Sequence, residues 1–101
     1  MKISFDYDGV LSTPQGKELA KRKIAEGDRV YVVTARGESQ RVLDVAKEVG
    51  IPRLQVYFTD GKDKWKTIKR LGIERHYDNN QEQIDKIKKN TEANATLLKY
   101  D

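Results

Sequence analysis

The amino-acid sequence predicts an α/β chain, a mainly parallel sheet of about five strands with helices on both faces. Three observations lead there. Short blocks of β-branched and aromatic residues alternate with amphipathic helical stretches along the whole chain, the pattern of units in which neighbouring strands run the same way. Gly27, Gly50 and Gly72 each follow a helical stretch, where a left-handed residue can end a helix at little steric cost. Acids, a hydroxyl and cations recur just past the strands, on the side where such sheets bind ligands.

Taken in order, "KISFD" (2–6) is the first strand, and a helix over residues 17–26 stops at Gly27. "RVYVVTA" (29–35) is the clearest strand, dense in β-branched and aromatic residues. The next helix sets Val42, Val45, Ala46 and Val49 at helical spacing and closes at Gly50 and Pro52. "LQVYFT" (54–59) is the third strand. Asp63 is then expected to N-cap a helix carrying Trp65, Ile68 and Leu71 on one side. "RHYD" (75–78) is a short fourth strand, Asn79 or Asn80 caps a fourth helix that buries Ile84 and Ile87, and "ATLLKY" (95–100) completes the sheet. The stretch "KIKKNTEAN" is expected to be a solvated helix end.

Composition narrows the function classes. The 101 residues suit one domain, 1–101, with a single modest core. An apolar content of 37% and a mean hydropathy of −0.82 are low, but the apolar residues fall in ordered blocks, so the chain is expected to fold and to be very soluble. A net charge of +4 favours anionic partners without demanding nucleic acid. With no cysteine, disulfides and thiolate metal sites are excluded. There is no signal-peptide pattern and no apolar run long enough to span a bilayer, so a cytoplasmic protein with no membrane partner is expected. The sequon Asn94-Ala95-Thr96 is read as chance.

The chemistry lies at the carboxyl ends of the strands. Strand one runs into Asp6 and Asp8, strand two into Thr34 and Arg36, and strand four into Asp78, while Lys62 and Lys64 open the third helix. Adjacent acids repel unless a cation stands beside them. Asp6, Asp8 and Asp78 form a hard oxygen set suited to Mg²⁺, which takes one or two carboxylates and completes its shell with water and phosphate oxygens. A carboxylate beside such an ion can attack phosphorus, giving an aspartyl phosphate. That attack needs an acid for the departing oxygen and then a base for water, and Asp8 is spaced to serve as both. Thr34 offers a donor to a phosphoryl oxygen, and a lysine offsets charge that builds in transfer.

These residues carry a family resemblance. "FDYDGVL" resembles the first motif of the haloacid dehalogenase (HAD) superfamily, whose phosphatases place Asp-x-Asp-Gly-Thr/Val after a first strand. "VVTAR" is similar to the second motif, "GKDKWKTIKRLGI" to the third with its lysine, and "HYDNN" to the acidic fourth, in that family's order over residues 3 to 85. The resemblance implies a three-layer Rossmann-like (HAD-like) domain and a Mg²⁺-dependent phosphomonoester hydrolase. It makes Asp6 the nucleophile and a metal ligand, and Asp8 the acid and base, lending its backbone carbonyl to the metal. Thr34 becomes the phosphoryl donor, Lys64, preferred over Lys62, the motif lysine, and Asp78 a metal ligand. Gly9, Ala35 and Arg36 complete the expected substrate-binding set.

The chain departs from the family in two places. Where many relatives have two adjacent acids it reads Asp78-Asn79, so the site loses a negative charge, which weakens its expected hold on Mg²⁺. No segment is long enough for a cap domain. An open site suits bulky substrates such as nucleotides or nucleic-acid ends, or takes closure from a second copy in a homo-oligomer. Two rival readings are a non-catalytic binding module on the same fold and a receiver-like signalling domain phosphorylated on Asp60. For His76 a packing or surface role is expected, and for Tyr57 and Trp65 a core or half-buried one.

Overall fold

The computed structural model describes residues 1–100. Five strands alternate with four helices: β1 (Lys2–Phe5), α1 (Pro14–Ala25), β2 (Arg29–Thr34), α2 (Gln40–Val49), β3 (Val56–Phe58), α3 (Trp65–Leu71), β4 (Arg75–Asp78), α4 (Gln81–Asn90) and β5 (Asn94–Leu97). The strands form one parallel sheet in the order β3-β2-β1-β4-β5, a small three-layer Rossmann-like fold. After β3 the chain crosses back over β1 to lay down β4, so the direction of winding reverses between β1 and β4. A crevice opens beyond the carboxyl ends of the strands at such a reversal.

Alternation along the strands decides what each face buries. Ile3 and Phe5 of β1, Val30 and Val32 of β2 and Tyr77 of β4 join Val42, Ala46 and Val49 of α2 in one core. Tyr31 and Val33 turn to the opposite face and meet Ile68 of α3 and Ile84 and Ile87 of α4. Ser4 and Asp6 therefore look toward α3 and α4, as do His76 and Asp78 of β4, because each lies one residue from a side chain committed to the other face. Register aligns the two pairs, since Ser4 stands opposite His76 in the β1–β4 ladder.

Several element ends differ from expectation, each for a local reason. Helix α1 starts at Pro14 instead of residue 17: the Thr13 hydroxyl accepts from the Gly16 backbone N–H at 3.0 Å, and proline at the first helical position gives up a donor that would be unpaired anyway. Gly16 is obligatory there, because a Cβ would lie 1.7 Å from the Val10 carbonyl oxygen. Asp63 does not cap α3, because Lys86 and Gln83 of α4 draw its carboxylate across to them. Asn80 caps α4, accepting from the N–H groups of Glu82 and Gln83. Strand β3 is shortened by a 3₁₀ turn at Arg53–Gln55, and β5 ends at Leu97. Ile87 is fully buried, so the last turns of α4 are half core instead of wholly solvated.

Among the described residues no connection is long enough to hold a covering domain, and no helix is long and apolar enough to cross a membrane.

Candidate active site

The six buried polar or charged residues among those described are Ser4, Asp6, Thr34, Lys64, His76 and Asp78, and all six lie on β1, β2 or β4, directly after β1 or directly before α3. Burying polar groups is costly unless each finds a partner. Here five of them form one unbroken chain. The Ser4 hydroxyl meets His76 Nδ1 at 2.7 Å, His76 Nε2 meets Asp78 Oδ2 at 2.8 Å, and Lys64 Nζ donates to Asp78 Oδ2 at 2.7 Å and to Asp6 Oδ1 at 2.8 Å.

The carboxylate can only accept, which fixes the proton of the imidazole on Nε2 and makes Ser4 the donor to Nδ1. Burial, the largest influence on His76, pushes its pKa down and keeps it neutral despite the adjacent acid. Burial pushes Asp78 up, but the hydrogen bond from His76 and the charge of Lys64 outweigh it and hold the group below the ordinary carboxylate range. Asp6 goes the other way. Burial raises its pKa, the Lys64 charge lowers it, the nearby Asp78 charge raises it again, and the balance settles at about 6. At neutral pH the cluster thus holds two carboxylates against one ammonium, a net negative charge facing the cleft.

Asp6 is brought to this position by the turn that follows β1. Residues Tyr7–Leu11 form a single π-type turn in which the Leu11 N–H bonds to the Asp6 carbonyl at 3.1 Å and the Ser12 N–H to that of Tyr7 at 2.9 Å. Such turns widen the helix and re-aim its side chains. Asp8 (φ −66°, ψ 121°) and Gly9 (φ 75°) are not helical inside it. Gly9 is required twice over, by its positive φ and by Asn79, whose Nδ2 lies 2.1 Å from where a Cβ would stand.

Asp8 meets a different cation. Its carboxylate is gripped by the Arg36 guanidinium, Nε to Oδ1 at 3.1 Å and to Oδ2 at 2.9 Å, and Nη2 to Oδ1 at 2.9 Å. Arg36 in turn rests over the buried Tyr7 ring, 5.2 Å from its centroid. Thr34 is fully buried, and its Oγ1 accepts the Arg36 backbone N–H at 3.3 Å.

A cleft of about 230 Å³ opens at this rim, lined by Asp6, Asp8, Ala35, Lys62, Lys64 and Asn79, with Gly61, Asn80 and Gln83 at its edge. The expected residues from β1, β2, β4 and the α3 start are thus gathered at one end of the sheet. Of the two lysines, Lys64 joins the acids and Lys62 lines the cleft without joining the cluster. Asp78 differs from its expected position. It is fully buried, Oδ2 is taken by Lys64 and His76 and Oδ1 by the Asn80 N–H at 3.0 Å, so it stands behind the cleft as the anchor of Lys64 instead of lining it. His76 and Ser4 belong to the buried cluster, so of the packing or surface role expected for His76 the structure shows the buried one, with both ring nitrogens hydrogen-bonded. A larger groove of about 750 Å³ at the opposite edge carries Lys69, Glu74, Lys89 and Glu92 and none of the candidate residues.

Among the described residues no three His, Cys, Asp or Glu side chains converge as a ready ligand set. The groups on the cleft wall still fit a hard cation. No hydrogen bond from the described residues reaches Asp6 Oδ2, Asp8 and Asn79 add only oxygen and amide groups, and the buried cluster carries an unbalanced negative charge. Magnesium commonly takes no more than one or two protein carboxylates, with water and phosphate oxygens completing the shell.

A scan against protein-family models finds none that matches the chain, and a search of curated proteins finds no match either.

Proposed function

We propose that the protein is a Mg²⁺-dependent phosphomonoester hydrolase of the HAD-like type, with Asp6 as nucleophile. The observation that carries this reading is the buried Lys64 ammonium bridging Asp6 and Asp78 at the inner wall of an open cleft. It holds one oxygen of Asp6, and no hydrogen bond from the described residues reaches the other. Attack by Oδ2 forms the aspartyl phosphate as the ester P–O bond breaks, and the leaving oxygen takes a proton from Asp8. Water then attacks the same phosphorus, its proton passes to Asp8, and the acyl phosphate P–O bond breaks to release inorganic phosphate and the free Asp6 carboxylate. Lys64 offsets charge on the phosphoryl oxygens during both transfers, without the Thr34 hydroxyl expected from the sequence, which is fully buried off the cleft wall. Mg²⁺, held by Asp6 and Asp8 with Asn79 beside them, would supply electrostatic shielding of the phosphoryl group from the acids.

The open cleft, with no covering domain among the described residues, supports substrates that extend out of it, nucleotides or nucleic-acid ends among them. Replacing Asp6 with Asn is expected to abolish turnover of an aryl phosphate at millimolar Mg²⁺ while the circular dichroism spectrum is retained. Equal turnover by the variant and the parent protein removes the mechanism.

One observation favours a second reading, a binding module without catalysis: both oxygens of the Asp8 carboxylate are already engaged by the Arg36 guanidinium. Calorimetric titration separates the two, since that module would bind a phosphate monoester and release no inorganic phosphate.

A further inference from the structure

We propose that the strip running from the cleft along α3 and the β3 edge is a track for a single-stranded nucleic acid whose terminal phosphate enters the cleft. The inference rests on the hydrolase reading above and names the substrate class for the same site.

The strip begins at Lys62, on the cleft wall. Lys66 and Arg70 follow on α3, four residues apart and so on one face of the helix, while Lys69 lines the groove at the opposite edge of the sheet. Aromatic rings lie beneath these cations. Lys66 Nζ stands 5.7 Å from the Trp65 ring centroid, and the Arg70 guanidinium 5.8 Å from that of Tyr57. Tyr57 is 6.4 Å from Tyr31, over which Arg29 lies at 5.7 Å. Tyr31 is buried in the core under α3 and α4, whereas Trp65 and Tyr57 pack at the rim of that core, half-buried.

Charge along the strip is of one sign. Lys62, Lys66, Arg70 and Arg29 are exposed, and none forms an ion pair with a described residue. The acids nearest them in sequence are engaged or placed elsewhere. Asp63 is held by Lys86 at 3.1 Å, Asp28 by the Met1 amine at 3.0 Å, Glu74 accepts the Lys2 N–H at 2.8 Å, and Asp60 lies against Gly37.

A row of unneutralised cations calls for a polyanion, and rings between the cations call for one with flat faces. An acidic peptide meets the first requirement and not the second. A duplex keeps its base faces inside the stack, so the partner that fits is a single strand. Length agrees: the six residues of β2, from Thr34 at the cleft end to Arg29, span roughly 17 Å, about five nucleotides at ~3.4 Å each. Lys66 and Arg70 can swing from ring to phosphate, which opens Trp65 and Tyr57 to bases, and the planar Arg70 guanidinium can itself stack. Lys62 then leads the terminal phosphate from the strip toward Asp6.

The test uses the full chain and a labelled oligothymidylate of about ten residues, phosphorylated at its 5′ or its 3′ end. In Mg²⁺-free buffer, anisotropy should show the single strand bound roughly tenfold or more tightly than a blunt duplex of equal length. In the Lys66→Gln/Arg70→Gln double variant affinity should fall by roughly tenfold or more, and the slope of log affinity against log salt should become shallower by about 1.4, ~0.7 for each lost phosphate contact. Trp65 is the sole tryptophan, so its fluorescence should be quenched by the strand and not by heparin, which has the charge without the bases. Equal binding by the double variant, a duplex bound as tightly as the single strand, or quenching by heparin equal to that by the strand overturns the proposal. With Mg²⁺, the ratio of kcat/KM for the phosphorylated strand to that for an aryl phosphate should fall about tenfold in the double variant, and an unchanged ratio overturns the link between strip and cleft. If the unmodified protein hydrolyses neither ester, the hydrolase reading fails by itself, and the anisotropy and fluorescence arms still decide whether the strip holds a single strand.

Discussion

Asp6 and Asp8 are two residues apart on one turn, and each meets a cation, yet the two ion pairs behave as different kinds of structure. The Lys64 pair is dry: its side chains are 4% and 7% exposed, and the lysine is shared with a second carboxylate that is itself hydrogen-bonded to a neutral histidine. The Arg36 pair is wet, with side chains 40% and 56% exposed and nothing beneath it but the Tyr7 ring. In the dry pair the loss of one member leaves a charge without water to solvate it, so each group fixes the others. In the wet pair water stands ready to replace either member, so the contact orients without binding firmly. A reaction that needs an immobile nucleophile and a mobile acid would use the two in those roles.

The comparison breaks most sharply at the dry lysine. Lys64→Met leaves Asp6 and Asp78 facing each other unpaired, and a loss of about 3–5 kcal/mol is expected in urea denaturation at neutral pH, with turnover abolished. Arg36→Gln in the same assay should leave the midpoint nearly where it was.

Next in size is the pH dependence of stability in Mg²⁺-free solution. Asp6 has its pKa raised from 3.8 to about 6, so its contribution is fully present below 3.8 and is lost as pH rises through about 6. Asp78 is depressed, so its contribution is present above the ordinary carboxylate range and is lost as the solution is acidified beneath it. Melting temperatures should therefore fall across the interval from pH 4 to 6, against the usual acid trend, and Asp6→Asn should flatten that fall. Carboxyl-carbon resonances provide the direct check, and added Mg²⁺ should move the Asp6 midpoint downward.

Gly9→Ala is expected to cost about 1–3 kcal/mol through its positive φ, and to disturb Asn79 as well, readable as a lower melting point with weakened Mg²⁺ stabilisation. Ser4→Ala is the smallest of the series. It strips the donor from His76 Nδ1 and should lower stability by about 1 kcal/mol, with kcat falling more than KM changes if the histidine positions Asp78.

Much of this was readable before any coordinates. Blocks of β-branched and aromatic residues and helical spacing placed all five strands and four helices, and the carboxyl-end rule gathered Asp6, Thr34, Lys64 and Asp78 at one rim. The missing half of the dry cluster was hidden by topology. Ser4 and His76 are 72 positions apart and meet only because β4 pairs with β1 in that register. The alternation that puts Asp78 on the α3 and α4 face also puts His76 there, but nothing local says that a serine will stand opposite. The Asp63 cap failed for the same kind of reason, since Lys86 and Gln83 arrive from the following helix. The start of α1 is a different case, because its signal is local. Thr13-Pro14 is a proper helix opening, and the glycine two residues later is held in the helix by its contact with Val10, where nothing larger fits.

The place of β1 in the middle of the sheet has a consequence for how the molecule comes into being. Its neighbour on one side, β2, is translated soon after it, but the other flank waits for residues 75–77, synthesised after three further helices. Until then a growing polypeptide offers an open, apolar strand edge with two bare acids at its tip, and loop closure over that span is slow. Pulse-labelled hydrogen exchange during refolding should find the β4 amides protected last, at the same moment that Asp6 acquires Lys64.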